Sequence, residues 1–127
     1  MHSDEALREL SREHAEARVV AEALATATSG NAMAVAGMFL DFFEALRWEH
    51  VPMVEMTLLP RVSDNELADR VRDEHAELRV HANALSGGQY DAGHLQRLGA
   101  LLADHVELEE RELLHQAEVV QRDRPAA

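Results

Sequence analysis

Near the end of the chain, a histidine and a glutamate share one face of a predicted helix. Leu98, Leu102, His105 and Glu109 follow one another at steps of three and four residues, the spacing that aligns side chains on one side of an α-helix. That face carries leucines and is expected to point inward. Because burying a carboxylate beside an imidazole is costly unless a cation joins them, His105 and Glu109 are predicted to bind a metal ion.

The same pattern occurs earlier in the chain. Segment 50–59 aligns without a gap with segment 105–114, and the two share His-Val, a glutamate five residues after the histidine, and Leu-Leu. Segment 13–18, Glu-His-Ala-Glu-Ala-Arg, aligns in the same way with segment 74–79, Glu-His-Ala-Glu-Leu-Arg. Two matches in the same order indicate a repeated unit, in which one helix carries Glu-His-Ala-Glu and the next carries His-Val.

Composition limits the class of protein. The 127 residues, of which 46% are hydrophobic and 28% charged, predict a single domain over residues 1–127 with a frayed tail at 120–127. The absence of cysteine excludes disulfides, zinc fingers and iron–sulfur clusters. A net charge of −12 argues against nucleic acid as a partner. The N-terminus lacks the features of a signal peptide, and the longest apolar run, 32–40, is too short to span a membrane. A cytoplasmic protein is therefore expected.

Periodicity predicts four helices and no strands. The first helix begins with Ser3 as its cap and ends at about Thr28, and the second covers 31–59, with a kink expected at Pro52. A capping box at 63–66 starts the third helix, which ends at about Ser86, and Asp91 caps the last. Because short turns join them, the helices are expected to form an up-down-up-down antiparallel four-helix bundle, an all-α fold.

Each predicted helix carries one histidine in the centre of its apolar stripe: His14, His50, His75 and His105. His14 and His75 lie roughly 17 Å from the starts of their helices, and His50 lies roughly 14 Å before the end of its helix, at 1.5 Å per residue. In an antiparallel bundle these distances place the four rings within about one turn of each other. A layer of imidazoles with carboxylates is typical of a transition-metal site.

The other histidines and acids are assigned by their position on the helix. The histidines outside this layer are expected to be solvated, as are the acids that directly precede a layer histidine and the glutamate that follows Glu109; these residues are His2, His81, His94, His115, Glu13, Glu49, Glu74, Asp104 and Glu110. The alternative for the preceding acids is that Glu49 or another of them reaches into the layer. The position four residues after His50 is Val54, which cannot bind a metal. Glu55 is the candidate ligand instead, since Pro52 gives a reason for the helix to turn there.

This arrangement of residues resembles the hemerythrin-like, or HHE cation-binding, domains. The resemblance extends over nearly the whole chain and includes the Leu-Leu-Pro that closes the second helix. It implies an oxo- or hydroxo-bridged non-haem di-iron centre, with His14, His50, His75, His105 and Glu109 as ligands by position and Glu55 as a substitute carboxylate. Two positions depart from the family, since Val54 replaces the second-helix glutamate and Arg79 stands where a second histidine is expected. Whether one or two irons bind is therefore left open.

The resemblance implies a protein that binds dioxygen or a related small oxidant, for carriage, sensing or storage. Iron is favoured over zinc, which is the expected contaminant during purification. Hydrolysis is not expected, since no nucleophile with an oriented base is visible. A metal- or oxygen-binding protein is expected more than an enzyme, and oxidase activity or the handling of peroxide or nitric oxide is the alternative. The rival hypotheses are a module for iron storage or sensing and a metal-free interaction bundle.

Overall fold

The fold was analysed in a computed structural model, which describes the backbone of residues 2–114 and the side chains of residues 8–112. Every element within that range is helical, which confirms the predicted all-helical class. The predictions for the side chains of His2 and His115 and for the tail at 120–127 lie outside the described residues. No described helix combines the length and the apolar character that a membrane-spanning segment requires.

Four helical segments make up this range: α1 (His2–Ala25), α2 (Ala32–Ala45), α3 (Asn65–Ser86) and α4 (Ala92–Leu108). The helix α2 continues without a break through a π-helical turn, Leu46–His50, an α-helical turn, Val51–Met53, a second π-helical turn, Val54–Leu58, and a 3₁₀ turn, Leu59–Arg61. The helix α4 continues as a π-helical turn, Glu109–Leu114. The irregular turns lie next to the histidines and glutamates that the sequence singles out.

Helix ends follow local hydrogen bonding. Asp91 caps α4 as predicted, because its side chain accepts a hydrogen bond from the backbone N–H of His94 at 2.8 Å. The predicted capping box at 63–66 is wrong, since the cap of α3 is Asp64, whose carboxylate accepts from the Leu67 N–H at 3.1 Å. The backbone stays helical through Pro52, with a π-helical turn on either side.

The apolar core has two parts. The larger part contains the buried residues of the second half of α1, most of α2, the second half of α3 and most of α4, including Leu24, Phe39, Leu78 and Leu98. The smaller part contains Leu10, Val54, Leu58, Leu59, Val62, Leu67, Ala68, Val71 and Leu108. On each helix the histidine singled out by the sequence falls between residues of the two parts, so a polar layer divides the core.

The helix α1 packs closely along α4 at Gly99. A Cβ atom at this position would lie 2.7 Å from the backbone nitrogen of Ala25 and 2.8 Å from the carbonyl oxygen of Ala21. Those are backbone atoms, which can move only if the whole helix moves. The absence of a side chain at Gly99 therefore sets the distance between the two helices that carry His14 and Glu109.

Gly99→Ala is expected to destabilise the protein by about 1–3 kcal/mol, because the added methyl group overpacks the α1–α4 contact. Chemical denaturation followed by circular dichroism measures this change. Gly37→Ala is the matched control, since a Cβ atom there meets nothing within 4 Å, and alanine in a helix interior stabilises by about 0.5–1 kcal/mol. Equal effects of the two substitutions would contradict the close approach at Gly99.

Candidate metal centre

Four imidazoles surround a single carboxylate in the polar layer. One oxygen of Glu109, Oε1, lies 2.7 Å from His14 Nε2 and 3.0 Å from His50 Nε2. The other oxygen, Oε2, lies 2.9 Å from His75 Nε2 and 3.0 Å from His105 Nε2. Each oxygen thus faces two rings, and each ring comes from a different helical segment. The structure brings together five of the six residues that the sequence predicts as metal ligands.

These five residues are removed from solvent. Glu109 is 0% exposed, and none of the four histidines exceeds 4%. An ionised carboxylate without compensation would be strongly destabilising at such a position. The surrounding rings satisfy this requirement in one of two ways, either by carrying protons themselves or by sharing a cation with Glu109.

The outer nitrogen of each ring contacts a second carboxylate. These contacts, from Nδ1 to a glutamate oxygen, are His14 to Glu110 at 3.2 Å, His50 to Glu13 at 3.0 Å, His75 to Glu55 at 2.9 Å, and His105 to Glu74 at 2.7 Å. With Nδ1 donating outward, Nε2 can present its lone pair inward. Carboxylates in this role fix the tautomer and the orientation of metal-binding histidines in proteins.

The outer contacts follow the sequence repeat. Glu13 contacts His50, and the equivalent Glu74 contacts the equivalent His105. His14 contacts Glu110, and the equivalent His75 contacts Glu55. The repeat is broken in the inner layer, where Glu109 of the second unit corresponds to Val54 of the first. Val54 is 0% exposed and belongs to the smaller part of the core.

The π-helical turns explain how successive glutamates reach the same ring. One such turn begins at Glu109 and another at the equivalent Val54. In a regular α-helix Glu110 would lie about 100° from Glu109 around the axis, but a π-helical turn accommodates an extra residue. Glu109 and Glu110 consequently contact the two nitrogens of one ring, that of His14. Turns of this kind occur frequently at functional sites.

Glu55 occupies a different position from the one predicted. Its carboxylate contacts Nδ1 of His75 from outside and does not face Glu109 or the inner nitrogens that surround it. The reason is that the π-helical turn rotates Glu55 toward the neighbouring helix α3, while Val54 takes the inward position. The structure thus places Glu55 among the outer carboxylates.

Sequence reasoning also missed three of the outer residues. Glu13, Glu74 and Glu110 were expected to be solvated, but each is partly buried and contacts a histidine of the layer. The sequence feature that could have identified Glu13 and Glu74 is the repeat, because these glutamates occupy the same position in its two units.

Outside the layer, His81 and His94 were also expected to be solvated. Both are partly buried, and Nδ1 of His81 lies 2.8 Å from Nε2 of His94.

Charge coupling within the layer shifts the pKa values of the metal-free protein. Burial acts to lower the pKa of His50 and of His105, but Glu109 and the outer carboxylates raise both to about 9, from 6.5. Burial acts to raise the pKa of Glu109, but His50 and His105 hold it well below its ordinary value of 4.5. Glu74, which contacts His105, also has a lowered pKa despite its partial burial. Without a metal, protons on His50 and His105 therefore offset the charge of Glu109.

The donor set also fits a metal ion. His50, His75, His105 and Glu109 each offer one ligand atom, and these atoms all lie within 4.8 Å of one another. Nε2 of His105 is buried and forms no hydrogen bond of acceptable geometry with any described group, although Glu109 lies 3.0 Å away. Such a nitrogen can donate its lone pair to a cation. These four residues therefore form a group that can bind a metal.

Comparisons of the chain with protein-family models, with curated proteins and with solved structures find no match. Imidazole nitrogens and a carboxylate, without thiolates, suit zinc, iron, copper and nickel. The layer could also serve in part as a structural network of charges.

The metal-free protein is expected to lose stability as the pH rises from about 6.5 through about 9. The unfolded-state pKa of His50 and His105 is close to 6.5, while the folded-state value is about 9. Their contribution to stability is therefore complete below pH 6.5 and is lost as the folded rings deprotonate. Thermal unfolding in the presence of a chelator, at several pH values across this window, measures the trend.

The control for this prediction is Glu109→Gln, which removes the charge that holds the rings protonated while nearly preserving the side-chain shape. The variant should show a much weaker dependence on pH over the same window. A midpoint of unfolding that stays constant or rises with pH in the unsubstituted, metal-free protein would contradict the assigned coupling.

Proposed function

We propose that this chain is a non-haem di-iron protein of the hemerythrin-like type, which binds dioxygen or a related small oxidant. The observation that carries this proposal is the division of the layer, in which each oxygen of Glu109 faces its own pair of imidazoles. A carboxylate bridging two cations would offer one oxygen to each. Two imidazoles per cation would then complete a matched pair of sites.

The proposed architecture is an up-down-up-down antiparallel bundle. Support comes from the order in which each helix meets the two parts of the core. Along α1 and α3 the chain passes from the smaller part to the larger, and along α2 and α4 it passes from the larger to the smaller. Contacts between α1 and α4 also support an antiparallel arrangement of these two helices, since Gly99 lies near Ala25 and Glu109 lies near His14. This alternation would place all four histidines at one level.

The spacing of the donor atoms supports coordination. Two ligands about 2.1 Å from a metal and at right angles to each other are about 3 Å apart. The four distances from Glu109 oxygens to histidine Nε2 atoms, 2.7 to 3.0 Å, are of this size. The inner layer would thus offer the donor spacing that cations require in exchange for protons. The buried Nε2 of His105 would gain the partner that it lacks.

Iron is the proposed metal because imidazole and carboxylate ligands with room for a further ligand suit it, while zinc would be an alternative taken up during purification. When bound, iron supplies the redox chemistry and the affinity for a small oxidant. The chain's own residues hold the rings and exclude water. The outer glutamates orient each imidazole, and the walls around the layer are apolar and buried: Leu10, Phe43, Leu46, Leu78 and Leu102.

A second candidate function is a module that stores or senses a single metal ion. The observation that favours it is the compact group of His50, His75, His105 and Glu109, which by itself can hold one ion. His14 is outside that group, and Val54 leaves the first repeat without an inner carboxylate. Binding of one ion would then stabilise the bundle without an oxidant taking part.

Metal analysis separates these functions. Protein reconstituted with ferrous iron without oxygen is expected to hold two irons per chain by native mass spectrometry. Exposure to air should produce an absorption band in the near-ultraviolet and visible range that disappears on reduction and returns on a second exposure. One iron per chain that is released in air would support storage or sensing. Absence of bound iron, cobalt or zinc would contradict a metal centre altogether.

His105→Ala is expected to lose most of the bound metal and to unfold at a lower temperature, because Glu109 keeps its charge but loses one of its four ring partners. Metal content and thermal unfolding of the reconstituted protein measure both effects. His94→Ala is the matched control, since it removes a partly buried imidazole of the same helix outside the layer. Equal loss of metal in the two variants would argue against the assigned ligands.

A further inference from the structure

A cavity of about 350 Å³ lies between α2, with its π-helical continuation, and α3. It reaches the outer side of the metal centre, since Glu55 and His75 form part of its wall. The remaining lining residues are Phe43, Arg47, Trp48, Val51, Arg72, Ala76 and Arg79. Apolar and aromatic side chains and three guanidinium groups thus surround one carboxylate, which is already engaged by His75.

The cavity concentrates positive charge in a strongly acidic chain. The whole sequence has a net charge of −12, with only twelve basic residues, yet Arg47, Arg72 and Arg79 all line this one cavity. Arg47 lies over the ring of Trp48, 5.3 Å from its centroid. Arg72 has an exposed acid, Asp69, 3.5 Å away. Such clusters of arginine recognise carboxylate and phosphate groups through paired, charge-assisted hydrogen bonds.

The repeat shows that Arg79 differs from its counterpart. Arg79 is equivalent to Arg18, and Glu55 is equivalent to Glu110. In one unit Arg18 donates a hydrogen bond to Glu110. In the other unit, within the described side chains, Arg79 forms no ion pair with Glu55 or with another acid, although both residues line the cavity. The guanidinium of Arg79 is therefore available to an external anion.

We propose that this cavity binds a small organic anion. Its carboxylate or phosphate group would pair with Arg79 and the neighbouring arginines, and its apolar part would pack against Phe43, Trp48 and Val51. The volume lies at the lower end of the range typical of small-molecule sites, about 300–1,000 Å³. This inference goes beyond the proposed function and does not require a bound metal.

Trp48 provides a direct probe, because it lines the cavity and is the only tryptophan of the sequence. Metal-free protein is titrated with benzoate and with phenyl phosphate at constant ionic strength while tryptophan fluorescence is recorded, and benzamide serves as the neutral analogue. A saturable change with at least one of the two anions, and none with benzamide at the same concentrations, is the expected result. The anion that binds more tightly identifies the preferred head group.

Arg79→Gln is expected to weaken binding of that anion by roughly tenfold or more, since one charge-assisted contact is lost. Arg8→Gln is the matched control, because it removes an exposed arginine of α1 that does not line the cavity, and it should bind as the unsubstituted protein does. Circular dichroism establishes that both variants are folded.

Three results would overturn the anion site: no saturable fluorescence change with either anion, equal binding of benzamide, or unchanged affinity in folded Arg79→Gln. None of them bears on the metal centre, because the titration uses metal-free protein. Failure of the iron reconstitution, in turn, would leave the anion titration unaffected. The two proposals are thus tested separately.

Discussion

Compensation of the buried Glu109 charge determines how the interior of this protein is organised. A carboxylate with no exposure to solvent must be neutralised by neighbours within hydrogen-bond distance. Each helical segment contributes one imidazole to that task, and the apolar core is divided in two to make room for them. The close contact of α1 with Gly99 helps to hold His14 at the distance that Glu109 requires. Packing and charge therefore depend on the same helix positions.

The charge of the layer is shared among carboxylates, imidazoles and two arginines at its outer edge, Arg18 and Arg70. Five carboxylates contact the four rings, one from inside and four from outside. Protons on all four rings would bring like charges close together, since the centroids of neighbouring rings are 4.7 to 5.6 Å apart. Cations shared between imidazoles and Glu109 would relieve this repulsion, because the rings would then bind as neutral imidazoles.

Helical periodicity was sufficient to predict the all-helical class and the residues of the inner layer, because both depend on which side chains share the inward face of a helix. It could not place Glu55, since the π-helical turn that begins at Val54 changes the rotation per residue at that point. It also failed for Glu13 and Glu74, which reach histidines on neighbouring helices. Contacts of this kind depend on the distance between helices, which one sequence does not contain.

The repeat distinguishes contacts that both units share from positions at which the two units differ. Outer contacts between glutamate and histidine occur in both units, so they belong to the shared means of orienting the rings. Two positions depart from the repeat: Val54 replaces the inner carboxylate of the first unit, and Arg79 lacks the ion pair that its counterpart Arg18 forms with Glu110. With Val54 in the first unit, Glu109 alone serves both pairs of imidazoles. Without an ion pair to Glu55, the guanidinium of Arg79 faces a cavity. Arg79 lines the same cavity as Glu55 and His75, so that side is where access of small molecules to the layer is expected.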